Sequence, residues 1–171
     1  MKETVNAVTL HGNPVTLAGS MPEVGDKAPD FEVVDNELKP KSLKDFAGKV
    51  LIISSVPSLD TPVCDMETRR FNTEASRLDT GIRILTISMD LPFAQKRWCG
   101  AAGVDQVITL SDHRQASFGQ AFGVLIRELR LLARAVFVLD KDHIIRHIQI
   151  VREIAEEPDY EAVLAAAKRL V

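Results

Sequence analysis

VLIISSVPSLDTPVC, residues Val50 to Cys64, is the stretch whose reading decides the architecture. Val50 to Val56 carries apolar side chains on both faces of its pleat, the pattern of a central strand covered on both sides. Pro57 ends that run. Thr61 and Pro62 then open a helix, threonine as a natural N-cap and proline at the first helical position, where its missing N–H is not needed. From Pro62 to Leu78 the apolar residues Val63, Met66, Phe71, Ala75 and Leu78 fall within about half the circumference of a 3.6-residue helix, which predicts one buried face. Cys64 thereby lands in the first helical turn.

Working outward, the period keeps alternating. Ile82 to Ser88 reads as a strand, Pro92 to Ala102 as a short helix, Val107 to Leu110 as a strand and Arg114 to Phe122 as a helix, the order expected of a parallel α/β core. Ala133 to Leu139 and Ile144 to Val151 read as two strands joined at Asp140-Lys141-Asp142 and free to pair antiparallel. Pro158 and Asp159 precede a last helix, Tyr160 to Leu170, rich in alanine. Upstream, Thr4 to Leu10 and Pro14 to Leu17 flank His11-Gly12-Asn13 as an opening hairpin, and Phe31 to Val34 is a further β-branched run. No repeat or low-complexity segment interrupts the pattern, so residues 1–171 are expected to form a single domain, a mixed sheet with helices on both faces.

Composition agrees with that architecture and excludes several function classes. The chain has 171 residues, 46% of them hydrophobic and 26% charged, with 21 basic against 24 acidic side chains. A domain of this size removes roughly 70% of its unfolded surface from water, so it needs no disulfide or metal to fold. A formal net charge of −3 without a basic run leaves no electrostatic footprint for nucleic acid or an anionic membrane. No N-terminal apolar stretch of about 7–15 residues marks a signal peptide, and no apolar run is long enough to span a bilayer, so the expectation is a cytoplasmic protein. In a reducing compartment a structural disulfide is disfavoured, and Cys64 and Cys99 are then either inert buried thiols or redox groups.

The position of Cys64 favours chemistry. Unpaired N–H groups and the positive end of a helix dipole stabilise a thiolate over a thiol. An unperturbed cysteine has a pKa of about 8.5, and moving it to about 6, so that the thiolate dominates at neutral pH, takes roughly 3.4 kcal/mol, more than the ~0.3–2 kcal/mol that a helix end supplies. Asp65 and Glu67 in the same turn act against a thiolate. A cation from elsewhere in the fold is therefore required. Arg134 is the candidate, because it interrupts the apolar run Ala133 to Leu139, where an unpartnered guanidinium is costly. The alternative is an edge-strand arginine reaching water. Cys99, in Lys96-Arg97-Trp98-Cys99-Gly100, carries less information by itself.

Other motifs are missing. Residues 61 and 67 are Thr and Glu, so Cys64 belongs to no C-x-x-C pair. His143 and His147 on a strand lie roughly 13 Å apart, too far to share a metal, and are expected to face solvent. No phosphate loop or dinucleotide fingerprint is present.

The pattern Pro57-x-x-x-Thr61-x-x-Cys64 resembles the peroxidatic signature of the peroxiredoxins. Ile53 to Cys64, Asp90 to Gln95 with Cys99 shortly after, Leu132 to Val136, Glu157 to Tyr160 and the hairpin residues Gly12 to Thr16 together resemble one branch, the bacterial thiol peroxidases, or atypical two-cysteine class. Trp98 stands where that family usually has phenylalanine, and the turn Asp140 to His143 lacks a glycine. The resemblance implies a thioredoxin-like fold and reduction of hydroperoxides without metal or other cofactor. It implies Cys64 as the peroxidatic cysteine and Thr61 as its hydrogen-bond partner. Pro57 shields the intermediate, Arg134 supplies the cation, and Cys99 is the resolving cysteine that forms a disulfide with Cys64. Thioredoxin as reductant and a homodimer belong to the same implication. Both cysteine segments are then expected to unwind during turnover. The rival readings are a thiol-disulfide oxidoreductase, a redox-sensing or peroxide-relay protein, and a structural domain with two inert cysteines.

Overall fold

The computed structural model describes residues 1–171. In chain order its elements are β1 (Glu3–Leu10), β2 (Asn13–Ala18), β3 (Val33–Val34), β4 (Pro40–Lys41), β5 (Val50–Ser55), α1 (Pro62–Ala75), β6 (Ile82–Ser88) and α2 (Pro92–Ala102). Then come β7 (Ile108–Ser111), α3 (Ser117–Ala121), β8 (Leu125–Ile126), β9 (Leu131–Leu132), β10 (Ala135–Leu139), β11 (Ile145–Ile150) and α4 (Tyr160–Lys168). A 3₁₀ turn over Leu43–Phe46 follows β4.

Every residue of β5 is buried, because β6 pairs parallel on one side and β10 antiparallel on the other. The seven-stranded sheet runs β11-β10-β5-β6-β7-β3-β4, and a second sheet runs β1-β2-β8-β9. This is the expected mixed α/β architecture. One core of 25 buried residues joins the inner face of the large sheet to the hairpin sheet and α3, and a second of 13 lies beneath α1 and α4. His11 and Gly12 both take positive φ, the requirement of a tight two-residue hairpin turn. No helix is long and apolar enough to cross a membrane.

Three expectations change. The helix expected from Arg114 begins only at Ser117, because Ala116 sits at φ 52 and breaks it. The buried Asp112 carboxylate accepts the Phe118 and Gly119 N–H groups instead, and burial pushes its pKa up to about 6. His143 is buried rather than solvent-facing: it takes φ 61 where the turn lacks a glycine, and its Nε2 lies 3.3 Å from the Phe46 carbonyl. The third change concerns α1. Its buried residues are Cys64, Glu67, Thr68 and Phe71, whereas Met66 is 48% exposed. An acidic residue occupies the face that apolar spacing assigns elsewhere, and its partner explains why.

Candidate active site

Two alignments of the backbone build the site. The first is the register of β10 against β5, in which Ala135 lies opposite Ser55. Antiparallel pairing sets Arg134, one residue before that pair, beside the point where β5 leaves the sheet and turns toward α1. The second is helical periodicity: residues three apart share a face, so Cys64 and Glu67 both look inward from α1 toward the same guanidinium.

Arg134 is only 2% exposed, and all three of its nitrogens are engaged. Nε donates to the Ile154 carbonyl at 2.9 Å, Nη1 to Glu67 Oε2, and Nη2 to Cys64 Sγ at 3.2 Å. The other Glu67 oxygen accepts from Ser54 Oγ at 2.8 Å, so a continuous chain runs Ser54–Glu67–Arg134–Cys64. The arginine is therefore a buried partnered cation, not one reaching water. Burial works against its charge, but the fields of Glu67 and Cys64 outweigh it and hold the guanidinium protonated. Burial likewise pushes the Glu67 carboxyl above its ordinary range, while Arg134 pulls the other way. Unit charges about 4 Å apart interact by roughly 4 kcal/mol at an effective dielectric near 20, comparable to what a stable thiolate requires. Glu67 shares that guanidinium and reduces the benefit to the sulfur, but it also fixes where the guanidinium points.

The helix start is built as the sequence suggests. Thr61 is the N-cap and Pro62 occupies the first turn. The Thr61 hydroxyl donates to the Ser58 carbonyl at 3.0 Å and accepts the Cys64 N–H at 3.4 Å, so it meets the backbone of residue 64 rather than its sulfur. Pro57 is buried in the turn between β5 and α1. Asp90 anchors that turn: its carboxylate accepts from Ser58 Oγ, the Leu59 N–H and Ser88 Oγ at 2.7–2.8 Å. The sulfur itself is enclosed, with Cys64 at 0% exposure, packed with Val56, Leu59 and Trp98. Leu59 and Leu125 are buried, whereas Phe93 on α2 is exposed.

Cys99 sits apart from this network. Both cysteines are free thiols. Cys99 Sγ lies 3.5 Å from Thr109 Oγ1, and that hydroxyl donates to Asn36 Oδ1. Together they line a surface cavity of about 290 Å³ that also includes Asp35, Glu37 and Asp105. Sequence reasoning placed Cys64, Thr61, Pro57 and Arg134 around one turn, and the structure brings them together; it leaves Cys99 on a separate face. Glu67 and Asp90 were missed as site residues. Polar residues at buried helix and strand-end positions are the signal that marks them, and spacing alone cannot supply it.

The chain is similar to known proteins over nearly its whole length. The Redoxin family model matches residues 23–164. A thiol peroxidase from Oceanobacillus iheyensis is 59% identical over 158 residues, covering 92% of this chain and 96% of that protein. One from Bacillus subtilis is 58% identical over 164 residues, covering 96% and 98%. Among solved structures, a peroxiredoxin-like protein from Aquifex aeolicus matches with a TM-score of 0.90 at 43% identity, over 96% of each chain.

Proposed function

The chain belongs to the redoxin family as a peroxide-reducing thiol peroxidase of the peroxiredoxin type, and on that premise we propose that Cys64 is its peroxidatic and Cys99 its resolving cysteine. The observation that carries the first assignment is Arg134 Nη2 at 3.2 Å from Cys64 Sγ, in a guanidinium that is buried and fixed on its other sides. No such partner faces Cys99.

The Cys64 thiolate attacks the terminal oxygen of a hydroperoxide. A sulfur–oxygen bond forms, the oxygen–oxygen bond breaks, and the departing hydroxide or alkoxide takes up a proton to leave as water or alcohol. Cys64 is left as a sulfenic acid. Arg134 stabilises the anionic sulfur and the charge that moves onto the departing oxygen, a preorganised donor that does not reorganise during the step. The Thr61 hydroxyl, its proton committed to Ser58, offers a lone pair to the hydroperoxide O–H, and Pro57 keeps bulk water from the turn. In the second step the Cys99 thiol attacks the sulfenic sulfur, forming the disulfide and releasing water. Thioredoxin returns both thiols. Burial of Cys64 favours a small hydroperoxide over a protein disulfide as oxidant, which separates this reading from a thiol-disulfide oxidoreductase. A homodimer, which rests on the family resemblance, and a cytoplasmic location, in a chain acting as one domain, complete the reading.

Thiol counts before and after one equivalent of hydroperoxide test it. Wild type should lose two thiols. Cys64→Ser should show no fast reaction, and Cys99→Ser should lose one thiol and stop at the sulfenic acid. A Cys64→Ser protein that consumes peroxide as fast as wild type overturns the assignment.

A further inference from the structure

Each cysteine is followed or preceded by a residue that grips the other cysteine's helix. Asp65 follows Cys64 on α1, and Trp98 precedes Cys99 on α2. Trp98 Nε1 donates to Asp65 Oδ1 at 3.0 Å. Arg69, one turn along α1, donates from Nε to both Asp65 oxygens at 3.0 and 3.1 Å and from Nη1 to the Ala102 carbonyl at 3.2 Å, and its guanidinium carbon stands 5.8 Å above the Trp98 ring. The same ring packs against Val56, Leu59 and Cys64.

Consecutive residues on a helix point about 100° apart. Trp98 therefore looks toward α1 and Cys64, while Cys99 looks toward Thr109 and Asn36. A disulfide needs its sulfurs about 2.05 Å apart and its Cβ atoms about 3.5–4.5 Å apart. Cys99 can meet that geometry only from the side of α2 that Trp98 holds, so the ring must leave before the bond can form. Oxidation itself loosens the ring. Cys64 has no exposed surface, so the sulfenic oxygen has to be accommodated by the packing around it. Trp98, only partly buried, is the wall that can yield.

From this arrangement, and resting on the reading of Cys99 as the resolving cysteine, we propose that Asp65, Arg69 and Trp98 form a clasp that sets the rate of disulfide formation. Trp98 is a positioning residue: while seated it closes the Cys64 packing, and when released it vacates the place that Cys99 takes. Asp65 and Arg69 determine how readily it leaves. The clasp thereby sets the partition of the sulfenic acid between two fates, attack by Cys99 and oxidation by a second hydroperoxide to the sulfinic acid. In the first, the sulfur–sulfur bond forms as hydroxyl leaves with the thiol proton as water. In the second, the peroxide transfers one more oxygen and departs as water or alcohol.

Trp98 is the only tryptophan, so its fluorescence reports its own departure. Reduced protein is mixed with excess hydrogen peroxide, and the later phase, independent of peroxide concentration, is followed in wild type, Cys99→Ser and Asp65→Ala. The phase should be absent from Cys99→Ser. In Asp65→Ala it should run about threefold to tenfold faster, the effect of losing one hydrogen bond of ordinary net strength at a partly exposed site, and the sulfinic fraction measured by mass spectrometry should fall in step. A merely structural role for Asp65 predicts a slower or unchanged phase, and either result overturns the clasp. Trp98→Phe, which keeps a ring but loses the N–H, is read by quenched thiol counts and should accelerate likewise; it decides the matter if Asp65→Ala does not fold. Should wild type lose only one thiol, the reading of Cys99 has failed and the clasp falls with it. Two thiols lost at an unaltered rate in the variants overturns the clasp alone.

Discussion

The start of α1 and the third turn of α2 each hold one cysteine, and the two settings differ in nearly every physical respect. Cys64 is enclosed, faces a fixed guanidinium and sits where a helix begins. Cys99 is partly exposed, faces a neutral hydroxyl and borders a cavity that includes three carboxylates. The same side chain is given two jobs by its surroundings. On the proposed assignment, one setting brings a fixed guanidinium to the sulfur that attacks the hydroperoxide. The other offers no cation and leaves the Cys99 thiol partly exposed, as the proposed second step requires.

The comparison breaks first at Arg134. Arg134→Met should lower the second-order rate with hydrogen peroxide about a thousandfold, the upper range for removing one preorganised donor. The fold should survive, because burial already pushes Glu67 toward its neutral form. Stopped-flow peroxide kinetics alongside circular dichroism checks both halves. Stability should divide the two regions as well. Glu67→Leu leaves a buried guanidinium without its carboxylate and should cost about 3 kcal/mol in denaturant unfolding. Thr109→Val at the other cysteine removes a neutral hydroxyl that bonds Asn36 and meets the Cys99 sulfur, and should cost about 1 kcal/mol. The smallest effect is electrostatic. Neutralising Asp35, Glu37 and Asp105 together should speed alkylation of Cys99 by anionic iodoacetate about twofold to fivefold at low salt, with no gain for neutral iodoacetamide.

Much of this architecture was legible in the residues themselves. Strong periodicity and caps mark β5, β6, α2 and α4: Pro92–Ala102 appears as expected, and Asp159 accepts the Ala162 N–H at the start of α4. The requirement for a cation near Cys64 also pointed to Arg134, since a helix end alone is too weak. Other features were hidden for physical reasons. β8 and β9 are two residues each, too short for any period to show, and they exist because the hairpin supplies an edge for pairing. The buried face of α1 was misplaced because a buried ion pair puts Glu67 where hydrophobicity predicts an apolar side chain. Glu67 reads as an obstacle to a thiolate until its contact with Arg134 is seen. The pairing of Asp65 with Trp98 depends on how α1 and α2 lie against each other, which no local pattern encodes.

The two sulfurs differ in what surrounds them, and single-cysteine proteins measure the consequence directly. The second-order rate constant with hydrogen peroxide is determined for reduced Cys99→Ser, which retains Cys64, and for reduced Cys64→Ser, which retains Cys99. The environment of Cys64 predicts that the first exceeds the second by at least about a thousandfold. Rates within about tenfold of each other, in folded and fully reduced proteins, would contradict it.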